Sequence, residues 1–407
     1  MAVSKKGKMG ADLRQQRSRR RKTAPLVAPK QAHAFVDELF GEDMHAARVV
    51  SLANAATGAI HSAALGIHAI GRGLAAVKGL VDKHAVKQVD RCIGNEAIDV
   101  DVVMASWTRQ VVAGLDEVWV NIDWTEFDRD DHSTLVLSVQ TNHGRSMPLM
   151  WKTVRKSTIA GKRNDIEEAL ILRFREAVPT DVRVVLVGDR GFGDQRFYSW
   201  LPEELNFDYV LRIRSDILVT SKTGECRPAA QWVGKGGRLR SLDAALVTKD
   251  ESGVGRFIAV QNKAMADAWC LVVSSVEWPA SEVKKRYGKR FSCEETFRDV
   301  KDLRYGLGMK WNRIRKPERR DRLMLVATLA IALLTLLGTA GEACGLDRLL
   351  KTNTSTKRTM SLFRQGLRWY ELIPNMPVGR LKKLMKAYDR TLREHLFFGP
   401  LMRIDGK

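Results

Sequence analysis

Three acidic residues occupy positions from which they could hold hard divalent cations. Asp123 closes the apolar run 117–123, and Asp189 closes the apolar run 183–189. Both runs read as strands. A carboxylate at a strand end sits at the rim of a core, held rigidly and facing a cleft. Two on neighbouring strands can share a cation. Mg²⁺ suits such a site because it takes oxygen ligands and keeps several waters, so it needs few protein groups. A turn-former or a helix cap uses an Asp in the same way, and the run Asp189, Arg190, Gly191, Phe192 is compatible with that reading. The third acid is Glu294, within the segment 287–301. Arg290, Glu294 and Lys301 fall at i, i+4 and i+11, close to three helical turns, and so share one helical face. A carboxylate flanked by two cations suits a metal ion among phosphates; a surface ion-pair ladder has the same pattern. The neighbouring Glu295 points about 100° away on a helix and can pair with Arg298 instead.

These acids are far apart in sequence, so the fold must bring them together. After the strand ending on Asp123, a turn carries Asp128, Asp130 and Asp131. Strands at 133–141 and 146–152 follow, then a helix over 164–177 with Ile166, Ala169, Leu170 and Phe174 on one side. The strand ending on Asp189, a short helix over 194–201 and a strand over 209–213 complete the series. Three antiparallel strands, a helix, a strand, a helix and a strand is the order of an RNase H-like core. The fold class is therefore α/β: an RNase H-like catalytic core, interrupted by a β-rich insertion and flanked by helical N-terminal and C-terminal regions. The expected boundaries are a disordered basic arm over 1–30, a helical DNA-binding domain over 31–112, the core over 113–213 and 276–340, the insertion over 214–275 and a helical region over 341–407. In the N-terminal helices, Lys83, Lys87 and Arg91 recur at i, i+4 and i+8, with Val86 and Val89 turned elsewhere. That basic face can read DNA or simply be solvated.

Composition narrows the partners. The net charge is +21, and 44% of the 407 residues are hydrophobic. Such a charge concentrates polyanions, of which nucleic acid is the usual one. The first 30 residues alone hold ten Lys/Arg and one acid. The five cysteines (Cys92, Cys226, Cys270, Cys293, Cys344) form no C-x-x-C pair, and their number is odd. Zinc sites and a disulfide framework are both disfavoured, and a reducing cytoplasm fits. The histidines are scattered, which disfavours a histidine-ligated metal. No apolar stretch follows the basic N-terminus as a secretory signal requires. The apolar run Leu323–Leu337 is shorter than the about 20 residues of a membrane span, so a buried core helix is expected and no membrane partner.

Tyr287, Arg290, Glu294 and Lys301 match the pattern Y-x2-R-x3-E-x6-K. Here the chain resembles the bacterial insertion-sequence DDE transposases of the IS-four-like (YREK) group. Residues 122–125, 187–192 and 294–308 resemble the surroundings of the three acids in that group, and the likeness runs roughly from 45 to 340. It implies cut-and-paste transposition: binding of terminal inverted repeats, nicking, hairpin formation and opening, and transfer of 3′-OH ends to target DNA. It implies Asp123, Asp189 and Glu294 as catalytic and metal-holding acids, with two Mg²⁺ ions or Mn²⁺ in their place. It also implies DNA contacts by Tyr287, Arg290 and Lys301. A Trp of the insertion would stack on a flipped base; Trp269 matches that position best, with Trp278 as rival. Partners would be double-stranded DNA, as transposon ends and target, and a second protomer in the end-paired complex. The location would be cytoplasmic, at the nucleoid. Two other readings stay open: a DNA nuclease that cuts without joining, and a transposase-derived DNA-binding protein that no longer catalyses.

Overall fold

The computed structural model describes residues 29–393. The basic arm lies outside the described residues except for Pro29 and Lys30, which open the first helix. The chain divides into two compact units.

One unit holds the residues up to Ile98, a short return at Leu307–Met309 and the chain from Arg322 onward. Its helices are α1 (Pro29–Phe40), α2 (Ala46–Ser62), α3 (Ile67–Lys78) and α4 (Asp82–Gly94), then most of a long helix α10 and, after it, α11 (Leu362–Leu372) and α12 (Val378–Arg393). On α4, Lys83, Lys87 and Arg91 are exposed, while Ala85, Val89, Cys92 and Ile93 are buried and Val86 is half-buried. The helix α10 spans Pro317–Ala343 and takes in the apolar run Leu323–Leu337. At 27 residues it is long and apolar enough to cross a membrane, but 94% of its most apolar stretch is buried inside the protein. Glycines let it touch α11: a side chain at Gly366 would strike the Leu334 carbonyl, and one at Gly338 the Leu362 carbonyl.

The other unit comprises Asp99–Gly306 and Lys310–Asp321. It opens with α5 (Val100–Val112), a helix that the sequence grouped with those before it. Here α5 packs on the sheet instead. Trp107 Nε1 donates to the Pro148 carbonyl at 2.7 Å, and Trp107 itself is buried. The strands are β1 (Glu117–Phe127), β2 (His132–Gln140), β3 (Ser146–Arg155), β4 (Arg183–Gly188) and β5 (Phe207–Ile213), with α6 (Arg163–Ala177) before β4 and α7 (Arg196–Leu205) before β5. β1 pairs antiparallel with β2 and parallel with β4, and β4 pairs parallel with β5. This is the RNase H-like arrangement. Val184, Val185, Leu186 and Val187 are all buried, as expected of a central parallel strand covered on both faces.

The β-rich insertion supplies β6 (Leu218–Thr220), β7 (Cys226–Pro228), β8 (Arg240–Val247), β9 (Ser252–Val260) and β10 (Trp269–Val273). It forms no separate sheet. β10 pairs antiparallel with β5, and the order is β3-β2-β1-β4-β5-β10-β9-β8-β6-β7 through one ten-stranded sheet. The edge of the core is thereby covered.

The turn after β1 spends its acids on structure. Asp130 pairs with the fully buried Arg320, whose Nε also donates to His132 Nδ1 at 3.0 Å. Lys156 donates to Asp128 at 2.7 Å, and Ser157 N to Asp131 at 3.0 Å. Next to Arg320, Asp321 Oδ1 accepts from Thr153 N at 3.0 Å. Burial pushes the Asp321 pKa from 3.8 up to about 7. Its folded pKa stands above the unfolded one, so its stabilising contribution is complete below about pH 4 and fades as pH rises through 7. Asp321→Asn is expected to remove that dependence. The wild-type minus variant unfolding free energy, from urea titrations at pH 4.5 and 8, should fall by at most about 4 kcal/mol. A difference that does not change with pH would contradict the buried-acid assignment.

Candidate active site

The last parallel pair between β1 and β4 is Ile122 with Gly188, so Asp123 and Asp189 follow side by side on adjacent strands. The sequence reading ended β1 at Asp123. In the structure the strand continues to Phe127, because β2 keeps pairing beyond it, with Asp123 opposite Val136 and Phe127 opposite His132. Asp123 therefore stands where the parallel partner stops, and the gap left by β4 opens beside it. Asp189 caps the short turn Arg190–Phe192, its Oδ1 accepting from Gly191 N at 2.8 Å. Its structural role is thus present, and the other carboxylate oxygen is not used in that cap. Gly188 precedes it because a Cβ there would crowd Phe192 and Leu211 at 2.9 Å.

The third side comes from two successive helices. They are α8 (Ala280–Gly288) and α9 (Phe291–Lys301). Arg290 lies at the break, before α9 begins. From there its guanidinium reaches two acids at once: Nη1 donates to Asp123 Oδ2 and Nη2 to Glu294 Oε1, each at 3.1 Å. The Arg290 side chain is 8% exposed and that of Glu294 53%. Cys293 Sγ donates to the same Asp123 Oδ2 at 3.2 Å. Burial raises the Asp123 pKa against the opposing effects of Arg290 and Cys293, and the nearby charge of Asp189 adds to the rise.

Arg290 thus separates Asp123 from Glu294. Among the described residues no three His, Cys, Asp or Glu side chains gather closely enough to enclose a metal ion. The donor set still fits a hard divalent cation. Asp123 and Asp189 follow neighbouring paired positions of β1 and β4, Glu294 is one guanidinium away, and all three offer the carboxylate oxygens that such an ion takes. Glu295 faces elsewhere, pairing with Arg298 and with Arg145.

The remaining predicted residues surround this centre. Lys301 ends α9 and donates to Thr125 Oγ1 at 3.0 Å and to the Glu126 carbonyl at 2.7 Å, tying α9 to β1 beyond Asp123. Burial and the nearby Lys310 charge lower its pKa to about 8. Tyr287 is only 1% exposed. Its hydroxyl bonds to Arg290 and its ring packs edge-on against Trp269, with centroids 4.9 Å apart. Trp269 is partly buried and also stacks on Phe291 at 6.1 Å. Its rival Trp278 is buried against Trp119 at 5.3 Å, with the Arg183 guanidinium 4.4 Å from its ring centroid.

Sequence reasoning missed several supports of this site. Thr296 Oγ1 donates to the Ser146 carbonyl at 2.9 Å and accepts from Ser146 N at 3.0 Å, fastening α9 to β3. Asp299 receives Arg145 Nε at 2.5 Å from the loop before β3. Gly306 is required because any side chain would strike the Asp299 carbonyl at 2.2 Å. The contacts of Thr296 with Ser146 and of Asp299 with Arg145 bridge about 150 residues of sequence, and nothing local signals them.

The sheet is RNase H-like, with Asp123 within β1 where its parallel partner stops, Asp189 just after β4 and Glu294 on the packed helix α9. The family model for the transposase DDE domain matches residues 128–333, half of the chain, and the protein belongs to that family. The match takes in Asp189 and Glu294 and starts shortly after Asp123. Membership carries transposase function, DNA as the partner and a divalent metal requirement. Comparison with curated proteins finds no match.

Proposed function

We propose that this protein is a cut-and-paste transposase of the IS-four-like (YREK) group of insertion sequences, akin to the transposase of the tetracycline-resistance composite transposon. The observation that carries the proposal is the Arg290 fork, which joins acids from β1 and α9 next to Asp189. Asp123, Asp189 and Glu294 would hold two Mg²⁺ ions, or Mn²⁺. Bound there, the ions supply an acidified water as nucleophile and neutralise charge on the leaving 3′ oxygen.

The chain's own residues would do the rest. Arg290 would turn from the acids toward a backbone phosphate, and Tyr287, hydrogen-bonded beneath it, would set its direction. Lys301 would hold α9 on β1 and present positive charge to DNA. Each step is an in-line displacement at phosphorus: one P–O bond forms as the opposite one breaks. Water first frees a 3′-OH at the transposon end. That hydroxyl attacks the opposite strand and closes a hairpin, water reopens the hairpin, and the 3′-OH attacks target DNA. Two paired ends call for two protomers, and the working location would be the nucleoid. The exposed face of Lys83, Lys87 and Arg91 is proposed to bind the terminal repeats.

The test uses the full chain with duplex DNA taken from the borders of its own gene, with and without Mg²⁺. Metal-dependent nicks with 3′-OH ends, hairpins and joined products are expected. Nicks without joining of pre-cut ends would indicate a nuclease. Binding with no cleavage in Mg²⁺ or Mn²⁺ would indicate a DNA-binding protein only.

Trp269 is proposed as the platform for the flipped base, because it stands at the entry to α9 and is only partly covered. Stacking is worth about 1–3 kcal/mol per base. Trp269→Ala is expected to slow hairpin formation about tenfold more than the first nick, measured in single-turnover time courses. Equal slowing of both steps would assign Trp269 to packing alone.

A further inference from the structure

A cavity of about 750 Å³ adjoins Glu294 along the C-terminal half of α9, and Trp269 is not part of its lining. Its lining includes Thr125 of β1, Arg129 of the following turn, Lys301, Lys310 and Trp311. Trp311 is 60% exposed, so much of its ring is open to a ligand. The Arg129 guanidinium lies 5.5 Å from the centre of that ring. The lining also includes Arg298 and the acids Glu294 and Asp302, so four cations outnumber two carboxylates around the ring. A broad aromatic face among such cations is the chemistry by which proteins hold unpaired nucleotides: the ring stacks on a base, and the cations meet the backbone. A base within a duplex cannot reach such a ring, because both its faces are already stacked. The volume suits one nucleotide rather than a helix.

We infer that this cavity is a second nucleotide subsite, separate from the Trp269 platform. It takes one unpaired nucleotide of the DNA beside the reacting phosphate, the base on Trp311 and the backbone against Lys301 and Lys310. The inference rests on the DNA-transferase reading and deepens it. Glu294 lies in the wall of the cavity, so a nucleotide seated there is held next to the candidate catalytic acids.

The test is binding of the full chain to two short duplexes that differ only in a single bulged thymidine, with Mg²⁺ replaced by Ca²⁺ to suppress cleavage. Trp311→Ala is expected to lose about tenfold or more in affinity for the bulged duplex and far less for the paired one. Trp311→Phe should recover most of the loss, since a phenyl ring still stacks. Because Trp311 is exposed, neither variant should unfold, and circular dichroism checks this. Equal losses on both duplexes, or no loss on either, would overturn the subsite. Metal-dependent nicking by the wild type is measured in parallel. If nicking is present and the bulge preference absent, the subsite fails while the transposase reading stands; if nicking is absent, that reading fails on its own.

Discussion

Asp189→Asn is expected to leave DNA binding within a few-fold of wild type and to lower cleavage at least about 10³-fold. Asparagine keeps a side-chain oxygen that can still accept from Gly191 N, so the cap on the turn Arg190–Phe192 survives. What it loses is the charge beside Asp123. Charge stabilisation of a phosphoryl-transfer transition state amounts to several kcal/mol, and each 1.36 kcal/mol is roughly a factor of ten in rate. Asp189→Ala removes cap and charge together, so it should match the asparagine variant in cleavage and fall below it in thermal stability. Asp123→Asn and Glu294→Gln are expected to behave like Asp189→Asn. Single-turnover cleavage beside binding isotherms makes the comparison. Near-normal cleavage by the asparagine variant would remove Asp189 from the site and leave it only its cap.

Arg290→Ala should produce the largest loss of stability in the site, about 2–4 kcal/mol by urea denaturation in the absence of divalent ions. Removing one partner of a buried pair costs roughly 3–5 kcal/mol. The lower figure applies because Glu294 is half exposed and can be hydrated, and because Asp123 can take up a proton. Arg290→Lys should recover only part of the loss, since an ammonium cannot fork between two carboxylates as a guanidinium does. Divalent ions should restore more stability to Arg290→Ala than to the wild type, where the guanidinium already satisfies Asp123 and Glu294. Binding to the folded state alone stabilises it in proportion to the logarithm of ligand concentration. An alanine variant as stable as wild type without metal, or one with no greater response to Mg²⁺ or Mn²⁺, would show that Arg290 does not hold the acids.

Much of the core could be read in the sequence because its strands are apolar runs, two of which carry the acids Asp123 and Asp189. The run before Asp189 is buried on both faces, and its composition said so. The order of strands and helices up to Ile213 then allowed few topologies. Asp123 was harder to place, since a strand's length depends on its partner: β1 continues past the acid only because β2 accompanies it. The break at Arg290 was hidden because Val283, Tyr287, Cys293 and Phe297 continue an unbroken helical periodicity across it. That break lets Arg290 face Asp123 as well as Glu294, a pairing that no spacing along one helix encodes. The insertion over 214–275 was legible as β-rich, but its union with the core depends on the pairing of β10 with β5. Cys293 read as one thiol of an unpaired set; only tertiary structure puts it on Asp123.

The most direct test is to locate Mn²⁺ by anomalous scattering in crystals of the full chain bound to a cleaved transposon end. Density for the ion is expected in contact with oxygens of Asp123, Asp189 and Glu294, with Arg290 withdrawn from at least one of the acids it now joins. Manganese bound elsewhere, or touching only one of the three while Arg290 still bridges Asp123 and Glu294, would contradict a shared metal-holding centre.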